Sequence, residues 1–131
     1  MILIDTDICI ELLRGNRRII EKRKNRSDDV AISFMTAAEL FYGAEKSQNR
    51  GKNIVVVEKF IMSVPVLHTD IGIARMFGEL KSNLSKKALP VSDADIIIAA
   101  TALAKCTCLV TGNTQHFSRF EGLRIENWAA E

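Results

Sequence analysis

The chain has 131 residues, of which 47% are hydrophobic, and carries a formal net charge of +2. Its length and apolar content suit one domain with one continuous core, so we predict a single domain over residues 1–131. No segment approaches the ~20 apolar residues that cross a bilayer, and the start "MILID" lacks the basic region of a signal peptide. We therefore expect a cytoplasmic protein. The net charge is too small to indicate a class of partner.

The three cysteines, Cys9, Cys106 and Cys108, form an odd set without C-x-x-C spacing. This pattern argues against a disulfide framework and against a structural zinc site. The cysteines are therefore predicted to be small core residues in a reducing compartment. The sequence has no internal repeat and no low-complexity linker, so no domain boundary is predicted inside the chain.

Short apolar runs alternate with helical patterns along the first half of the chain. The runs "ILI" at 2–4 and "VAIS" at 30–33 are typical of strands covered on both faces. Between them, "ICIELLRG" and the basic "NRRIIEKRKNR" predict two helices, the first stopped by Gly15. After "VAIS", "TAAELFYGAEKS" has apolar positions at helical spacing. A further helix is predicted over "KNIVVVEKFIMS", although its valines leave a strand open.

The second half continues the alternation. "VPVLH" predicts a third strand, "DIGIARMFGELKSNL" a helix, and Pro90 breaks the chain before the helix "SDADIIIAATALAK". "CLVT" at 108–111 predicts a fourth strand, and "LRIENW" a fifth after the short turn "GNTQHF". Strands separated by helices indicate an open parallel sheet with helices on both faces. Such folds gather their ligands at the carboxyl ends of the strands.

Two aspartates follow the first predicted strand. Asp5 comes directly after it, at the edge where such folds place their chemistry, and Asp7 lies two residues later. Aspartate is also a good N-cap, so Asp5 could equally begin the helix "ICIELL". The capping role and the chemical role are both open at this position.

Glu39 lies in the helix after the second strand and also has two explanations. Thr36 and Glu39 form a formal capping box. However, Glu39 shares its face with apolar neighbours, and a carboxylate on such a face needs a cation or hydrogen-bond donors to offset its desolvation. A metal ion would serve this purpose.

The helix "SDADIIIAATALAK" is built for burial, yet it begins with Asp93 and Asp95 in its first turn. Ser92 and Asp95 approximate a capping box, and a helix N-terminus favours acidic side chains. The local pattern alone therefore favours capping. The aspartates can also begin the helix and face a metal at the same time.

Thr111 and Asn113 follow the fourth strand, although Gly-Asn is also an ordinary turn. His116 has no second histidine at ligand spacing and is predicted to be a surface or packing residue. Oxygen ligands without a His/Cys set favour Mg²⁺ or Mn²⁺, which activate water and neutralise charge on a scissile phosphate. A doubly wound sheet would gather into one pocket the residues Asp5, Glu39, Asp93 or Asp95, Thr111 and Asn113.

The segment 14–26 is the most basic part of the chain. It holds seven basic residues and one acid, Glu21. This run is either a solvated helix face or a surface that neutralises RNA phosphates. The basic residues are Arg14, Arg17, Arg18, Lys22, Arg23, Lys24 and Arg26.

Four segments together resemble the PIN-domain ribonucleases, and specifically the VapC toxins of bacterial and archaeal toxin–antitoxin pairs. They are "MILIDTDICIELLRG", "MTAAELFYGAEKS", "SDADIIIAATALAK" and "CLVTGNTQHFSRFEGLRIENW". The match runs from Met1 almost to Trp128, in order and with family-like spacing. It implies a compact three-layer α/β/α sandwich with a central parallel sheet, and Mg²⁺- or Mn²⁺-dependent endonucleolytic cleavage of RNA.

The resemblance places the metal ligands of the family on Asp5, Glu39 and Asp95. Asp93 is a neighbour that either binds metal through water or only stabilises the helix start. The implied reaction is attack of a metal-activated water on phosphorus, which leaves a 3′-hydroxyl and a 5′-phosphate. No covalent intermediate is required.

Three further positions, Thr111, Asn113 and Asp7, lie outside the set of metal-binding acids that the resemblance implies. The resemblance assigns Thr111 and Asn113 to orienting water or phosphate. Many PIN domains have a fourth acid where this chain has Asn113, which argues against strong binding of a second metal. Asp7 departs from the "DTN" or "DTS" of relatives and either adds negative charge to the pocket or caps the helix.

The resemblance also implies partners: an RNA substrate, a small antitoxin and a second copy of the chain, with a higher assembly when the antitoxin binds. "FYGAEK" and "NIVVVEKFIM" offer apolar side chains for such contacts, although burial in the monomer competes. Two other classes of function are open. "ILIDTDIC" resembles the "DxDx[TV]" start of haloacid-dehalogenase phosphatases, with Cys9 in place of Thr or Val. The third possibility is a catalytically silent RNA- or protein-binding module whose acids are caps.

Overall fold

The computed structural model describes residues 1–130, so the single domain predicted over residues 1–131 extends one residue beyond the described part. Its centre is a five-stranded sheet in the order β3-β2-β1-β4-β5, in which every pairing is parallel. The predicted central parallel sheet is therefore confirmed. The strands are β1 (Ile2–Ile4), β2 (Val30–Ser33), β3 (Val66–Leu67), β4 (Leu109–Val110) and β5 (Ile125–Glu126).

Helices connect the strands as predicted, with two refinements. The valine-rich segment, which left a strand open, is helical because it buries Val57 and Phe60 at helical spacing. The predicted turn after β4 contains one short helix. The helices are α1 (Thr6–Leu13), α2 (Arg17–Lys24), α3 (Phe34–Glu45), α4 (Arg50–Ser63), α5 (Ile71–Lys86), α6 (Asp93–Lys105) and α7 (Thr114–Phe117).

The core has two halves, one on each face of the sheet. Side chains of β1 alternate between them, as the two-residue period of a strand requires. Ile2 and Ile4 pack with buried residues of α1 to α4, such as Leu40. Leu3 packs on the opposite face with residues of α5, α6 and α7, such as Ile98. The molecule therefore has three layers. No helix within residues 1–130 is long and apolar enough to cross a membrane.

The strand order reverses at β1, which defines the crevice of the sheet. The chain builds β2 and β3 on one side of β1 and then crosses to β4 on the other side. Ile4 pairs with Val110, and the next backbone bond runs from Asp5 N–H to the Val110 carbonyl oxygen at 2.9 Å. Asp5 and Thr111 therefore leave the sheet side by side. Folds of this kind bind ligands at this reversal point.

Candidate active site at the carboxyl edge of the sheet

Asp5 begins α1 and also faces the crevice. One oxygen, Oδ1, accepts a hydrogen bond from Thr6 N–H at 2.8 Å, so the predicted capping role is confirmed. The other oxygen, Oδ2, accepts a hydrogen bond from the Thr111 hydroxyl at 2.7 Å. Asp5 is 5% exposed and Thr111 is fully buried. The two predicted residues therefore form one buried polar pair that joins β1 to β4.

Negative charge is concentrated around Asp5. Its pKa is raised to about 7, chiefly by burial and then by the charges of Asp7 and Asp95, while the hydrogen bonds from Thr111 and Thr6 lower it. Burial likewise raises the pKa of Asp7. An anionic Asp5 is costly in this environment unless positive charge compensates it.

Glu39 reaches the same region from α3. Its Oε1 accepts a hydrogen bond from the Thr6 hydroxyl at 2.7 Å, and the oxygens of Thr6 and Thr36 are 3.0 Å apart. The predicted capping box of Thr36 and Glu39 is wrong, because α3 begins three residues earlier. Its N-cap is Ser33, whose hydroxyl accepts a hydrogen bond from Thr36 N–H at 2.9 Å. Glu39 is consequently free of any capping duty.

The two aspartates of α6 have different surroundings. Ser92 caps the helix by accepting a hydrogen bond from Asp95 N–H at 3.2 Å. The Asp95 side chain is 21% exposed, and its Oδ2 lies 3.8 Å from Nδ1 of His116. The Asp93 side chain is 62% exposed, and its Oδ1 lies 2.9 Å from Lys81 Nζ. Asp95 therefore contributes to the field at Asp5, whereas Asp93 forms a surface ion pair.

The loop after β4 lies between these groups. Asn113 N–H donates to the Thr111 hydroxyl oxygen at 3.0 Å, and Asn113 Nδ2 lies 3.1 Å from Nδ1 of His116. His116 was predicted to be a surface or packing residue, but its ring contacts both Asn113 and Asp95. The carboxylate edge, as we call it, comprises Asp5, Asp7, Glu39, Asp95 and residues 111–113.

The carboxylates do not converge on one point. Within residues 1–130, no group of three Asp, Glu, His or Cys side chains is arranged so that it could hold a metal ion. Each predicted ligand instead has a partner within the protein: Thr111 for Asp5, Thr6 for Glu39 and His116 for Asp95. The donors are oxygens with excess negative charge, which is the chemistry that suits a hard divalent cation.

Two residues of this edge, Thr6 and Gly112, are not predicted from the sequence. Thr6 orients Glu39, and its position between Asp5 and Asp7 was the available clue. Gly112 is the second, since its N–H donates to Asp7 Oδ2 at 2.9 Å. It was assigned only to a turn because a contact across 105 residues leaves no local pattern.

The basic segment of α2 is exposed over most of its length. Arg17, Lys22 and Lys24 are exposed, while Arg18 donates a hydrogen bond to the Ala129 carbonyl oxygen at 3.1 Å. Three of the other basic residues are less available. Arg14 contacts Glu11, Arg23 is half-buried, and Arg26 pairs with Asp28 and Glu126.

Comparison with known proteins places this architecture in a family. The family model of the PIN domain matches residues 2–123. A tRNA(fMet)-specific endonuclease VapC of Shigella flexneri is 36% identical over 128 residues, which cover 97% of each chain. The protein of that name from Salmonella typhimurium is 37% identical over 127 residues, 96% of each chain. A crystal structure of DNA-bound VapBC from Salmonella typhimurium superimposes with a TM-score of 0.91 at 36% identity, covering 98% of both chains.

These matches confirm the predicted α/β/α sandwich and the resemblance on which it depended. The chain belongs to the PIN-domain family. Within that family it is a VapC-type ribonuclease, the toxin component of a type II toxin–antitoxin pair. The haloacid-dehalogenase alternative is excluded by this membership.

Proposed function

We propose that this chain is an endoribonuclease that depends on Mg²⁺ or Mn²⁺ and holds the cation with Asp5, Glu39 and Asp95. The observation that carries the proposal is the buried Asp5 carboxylate, whose pKa is raised to about 7 by burial and by neighbouring carboxylates. A cation would offset both effects. Oxygen ligands select hard cations over zinc or copper.

The bound cation would supply a Lewis acid and a hydroxide-like water at neutral pH. The side chains then have separate tasks. The Thr111 hydroxyl fixes the orientation of Asp5, and the Thr6 hydroxyl fixes that of Glu39. Asn113 presents an amide at the same edge to orient water or phosphate. Hydrolysis leaves a 3′-hydroxyl and a 5′-phosphate, without a covalent bond to the protein.

Asp93 has the weakest support among the predicted metal ligands. Its pairing with Lys81 on the exposed side of α6 favours the alternative in which it stabilises the helix start. A contribution through an ordered water is the remaining way for Asp93 to act on the metal. Comparing Mn²⁺ affinity in Asp93→Asn with that in Asp95→Asn would separate the two, because only Asp95→Asn should weaken binding strongly.

We propose that the substrate is a structured RNA cut in a single-stranded loop, with transfer RNA as the first candidate. The support is that two relatives, 36% and 37% identical to this chain, are named tRNA(fMet)-specific endonucleases. Loops expose unstacked bases and flexible phosphates, which proteins read more easily than a duplex. The exposed cations of α2, Arg17, Lys22 and Lys24, are proposed to contact the RNA backbone.

The antitoxin is proposed to occupy an apolar groove between α1, α3 and α4. The groove encloses about 540 Å³ and reaches Glu39, so its occupant would lie beside the carboxylate edge. Its rim carries the cations Arg14, Lys46 and Lys52, which suits an apolar segment with acidic flanks. The apolar groove is lined by Ile10, Leu13, Leu40, Gly43, Ala44, Val56 and Val57.

A homodimer is proposed to use a different surface. Ile71 is 86% exposed at the start of α5, beside a cavity of about 530 Å³ lined by Ile73, Phe77 and Ile97. An exposed apolar patch of this kind is typical of an interface. The free cysteines, of which Cys9 and Cys108 are buried, support the predicted cytoplasmic location.

The test is cleavage of end-labelled initiator transfer RNA by the purified chain. We expect cleavage with Mg²⁺ or Mn²⁺, none with EDTA, and recovery when the metal is restored. The variants Asp5→Asn, Glu39→Gln and Asp95→Asn should each remain folded and lose most activity. A triple variant that cleaves as fast as wild type would contradict the site. Absence of metal-dependent cleavage of any structured RNA would support the silent binding module.

A further inference from the structure

Asp7 lies outside the proposed ligand set, yet it connects two parts of the site. Its Oδ1 accepts a hydrogen bond from Ile8 N–H at 2.8 Å, which fixes the carboxylate against the first turn of α1. Its Oδ2 accepts a hydrogen bond from Gly112 N–H at 2.9 Å. Both oxygens are therefore engaged by backbone donors. One of these donors belongs to the same helix and the other to the loop after β4.

The backbone at Gly112 is fitted to this contact. A Cβ atom at position 112 would lie 2.8 Å from Asp7 Oδ2, closer than real Cβ atoms approach other atoms. Gly112 does not have the left-handed backbone found at Gly15 and Gly122. The close approach of Asp7, rather than an unusual backbone angle, therefore accounts for glycine at this position.

The loop held by Asp7 contacts Asp5 directly and is linked to Asp95 through His116. On one side, the Thr111 hydroxyl donates to Asp5 at 2.7 Å. On the other side, Asn113 contacts His116, whose Nδ1 lies 3.8 Å from Asp95. A shift of the loop would therefore move the partners of both carboxylates.

We propose that Asp7 is a positioning residue, whose hydrogen bond to Gly112 N–H holds residues 111–113 and sets the spacing of Asp5 and Asp95. The proposal rests on the proposed function, because the spacing matters for a cation that these two carboxylates share. The property in use is the acceptor oxygen rather than the negative charge. An asparagine at position 7 retains one such oxygen, which can accept from Gly112 N–H at the expense of the bond from Ile8 N–H, whereas an alanine retains none.

The first experiment needs no metal. Hydrogen exchange of the Gly112 amide is measured by NMR in wild type, Asp7→Asn and Asp7→Ala. We expect protection in wild type and in Asp7→Asn, and faster exchange in Asp7→Ala, because only alanine removes the acceptor. Unchanged exchange in Asp7→Ala would overturn the proposal.

The second experiment measures Mn²⁺ affinity of the purified chain by electron paramagnetic resonance, with Asp5→Asn as the control for a lost ligand. Groups that orient metal ligands typically change affinity about 10- to 100-fold, so we expect at least a ~10-fold loss in Asp7→Ala and a markedly smaller loss in Asp7→Asn. Gly112→Ala should match Asp7→Ala. The double variant should be no weaker than either, because both changes break one contact.

Two results would count against this role. Equal losses in Asp7→Asn and Asp7→Ala would assign Asp7 a role of charge and overturn the positioning role, as would unchanged affinity in Asp7→Ala. A wild-type chain that binds no Mn²⁺ would contradict the proposed function instead. The exchange of the Gly112 amide would then decide the positioning role by itself.

Discussion

The carboxylate edge and the apolar groove meet at Glu39 but are built on opposite principles. At the carboxylate edge, charged side chains are buried or half-buried and each contacts a polar group of the protein, such as Thr111 for Asp5. Within residues 1–130, no buried side-chain nitrogen or oxygen lacks a hydrogen bond. In the groove, apolar side chains such as Val56, which is 37% exposed, remain in contact with solvent.

The difference indicates which kind of ligand each region favours. Burying like charges together raises the pKa of Asp5 and favours the arrival of a small cation. Leaving apolar side chains in water favours the arrival of a protein surface. In the proposed function, catalysis and antitoxin binding therefore use separate regions. Glu39, which lines the groove and accepts a hydrogen bond from Thr6, lies where the two regions touch.

The largest expected effect tests whether Glu39 belongs to the carboxylate edge. Glu39→Gln should lower the rate of RNA cleavage at least ~100-fold, because a catalytic metal contributes several kcal/mol and each 1.4 kcal/mol is tenfold. The matched control is Glu45→Gln on the same helix, where the carboxylate is exposed and pairs with Arg50. Equal rates for the two variants in a single-turnover assay would remove Glu39 from the site.

The apolar groove is tested by placing a charge in it. Val56→Asp should weaken antitoxin binding at least ~10-fold, since a buried unpaired charge at an interface is costly, and should leave RNA cleavage intact. Met62→Asp is the control, because Met62 is 88% exposed on the same helix and does not line the groove. Binding is measured by calorimetry with the product of the neighbouring gene. Normal binding by Val56→Asp would place the antitoxin elsewhere.

A smaller effect is expected from the basic face of α2. Reversing Arg17, Arg18 and Lys22 to glutamate should reduce RNA affinity, but Arg18 also bonds to the backbone near the C-terminus. The cleaner variant therefore changes Arg17 and Lys22 only. The plot of log affinity against log salt, which has a negative slope, should become shallower by about two, one for each lost phosphate contact. Unchanged affinity at low salt would remove α2 from the RNA surface.

The control for that variant makes the same charge change on the other layer of the molecule. Arg75→Glu with Lys86→Glu on α5 serves this purpose, since both residues are exposed. This variant should bind RNA with nearly the wild-type salt dependence. A loss of RNA affinity as large as that of the α2 variant would show that RNA binding depends only on the total charge of the protein.

The smallest effect concerns stability and pH in the metal-free protein. In the folded state Asp5 keeps its proton up to about pH 7, whereas the unfolded chain loses it near 3.8. The stability that this proton provides is therefore complete below about pH 4 and is lost as the pH rises to about 7.

Asp5→Asn carries no charge and should exceed wild type in free energy of unfolding at pH 8, by ~1 kcal/mol or more, because one pKa unit corresponds to about 1.4 kcal/mol. The gap should close near pH 4. Urea unfolding in EDTA measures both values. A gap that does not change with pH would contradict the burial of a charged Asp5.

The sequence predicted the layers of the fold better than its details. Branched apolar runs such as "ILI" identified the strands, because a parallel sheet is covered on both faces. The start of α3 was misplaced, since Ser33 and Thr36 are both plausible caps and only tertiary packing decides between them. The helix α4 was ambiguous for a similar reason. Its valines favour a strand locally, but burial of Val57 and Phe60 in the core favours the helix.

The part of the candidate site that could be predicted consists of acidic and polar residues close after predicted strands. Asp5 and Thr111 directly follow strands, Glu39 lies in the second turn of the helix after β2, and the fold brings these parts of the chain together. The roles of Thr6 and Gly112 could not be predicted in this way. Their contacts with Glu39 and Asp7 span many residues and depend on the register of β1 with β4 and of β1 with β2.

The central claim is selective cleavage of a structured RNA by the carboxylate edge. The most direct test is to sequence new 5′-phosphate RNA ends in cells after induction of wild type and of Asp5→Asn. We predict one dominant cleavage site in a single-stranded loop, absent in the variant. The carboxylate edge cleaves the phosphodiester, and the protein surface that contacts the RNA selects the loop. Dispersed cleavage throughout unstructured messages, or the same ends with Asp5→Asn, would contradict the account.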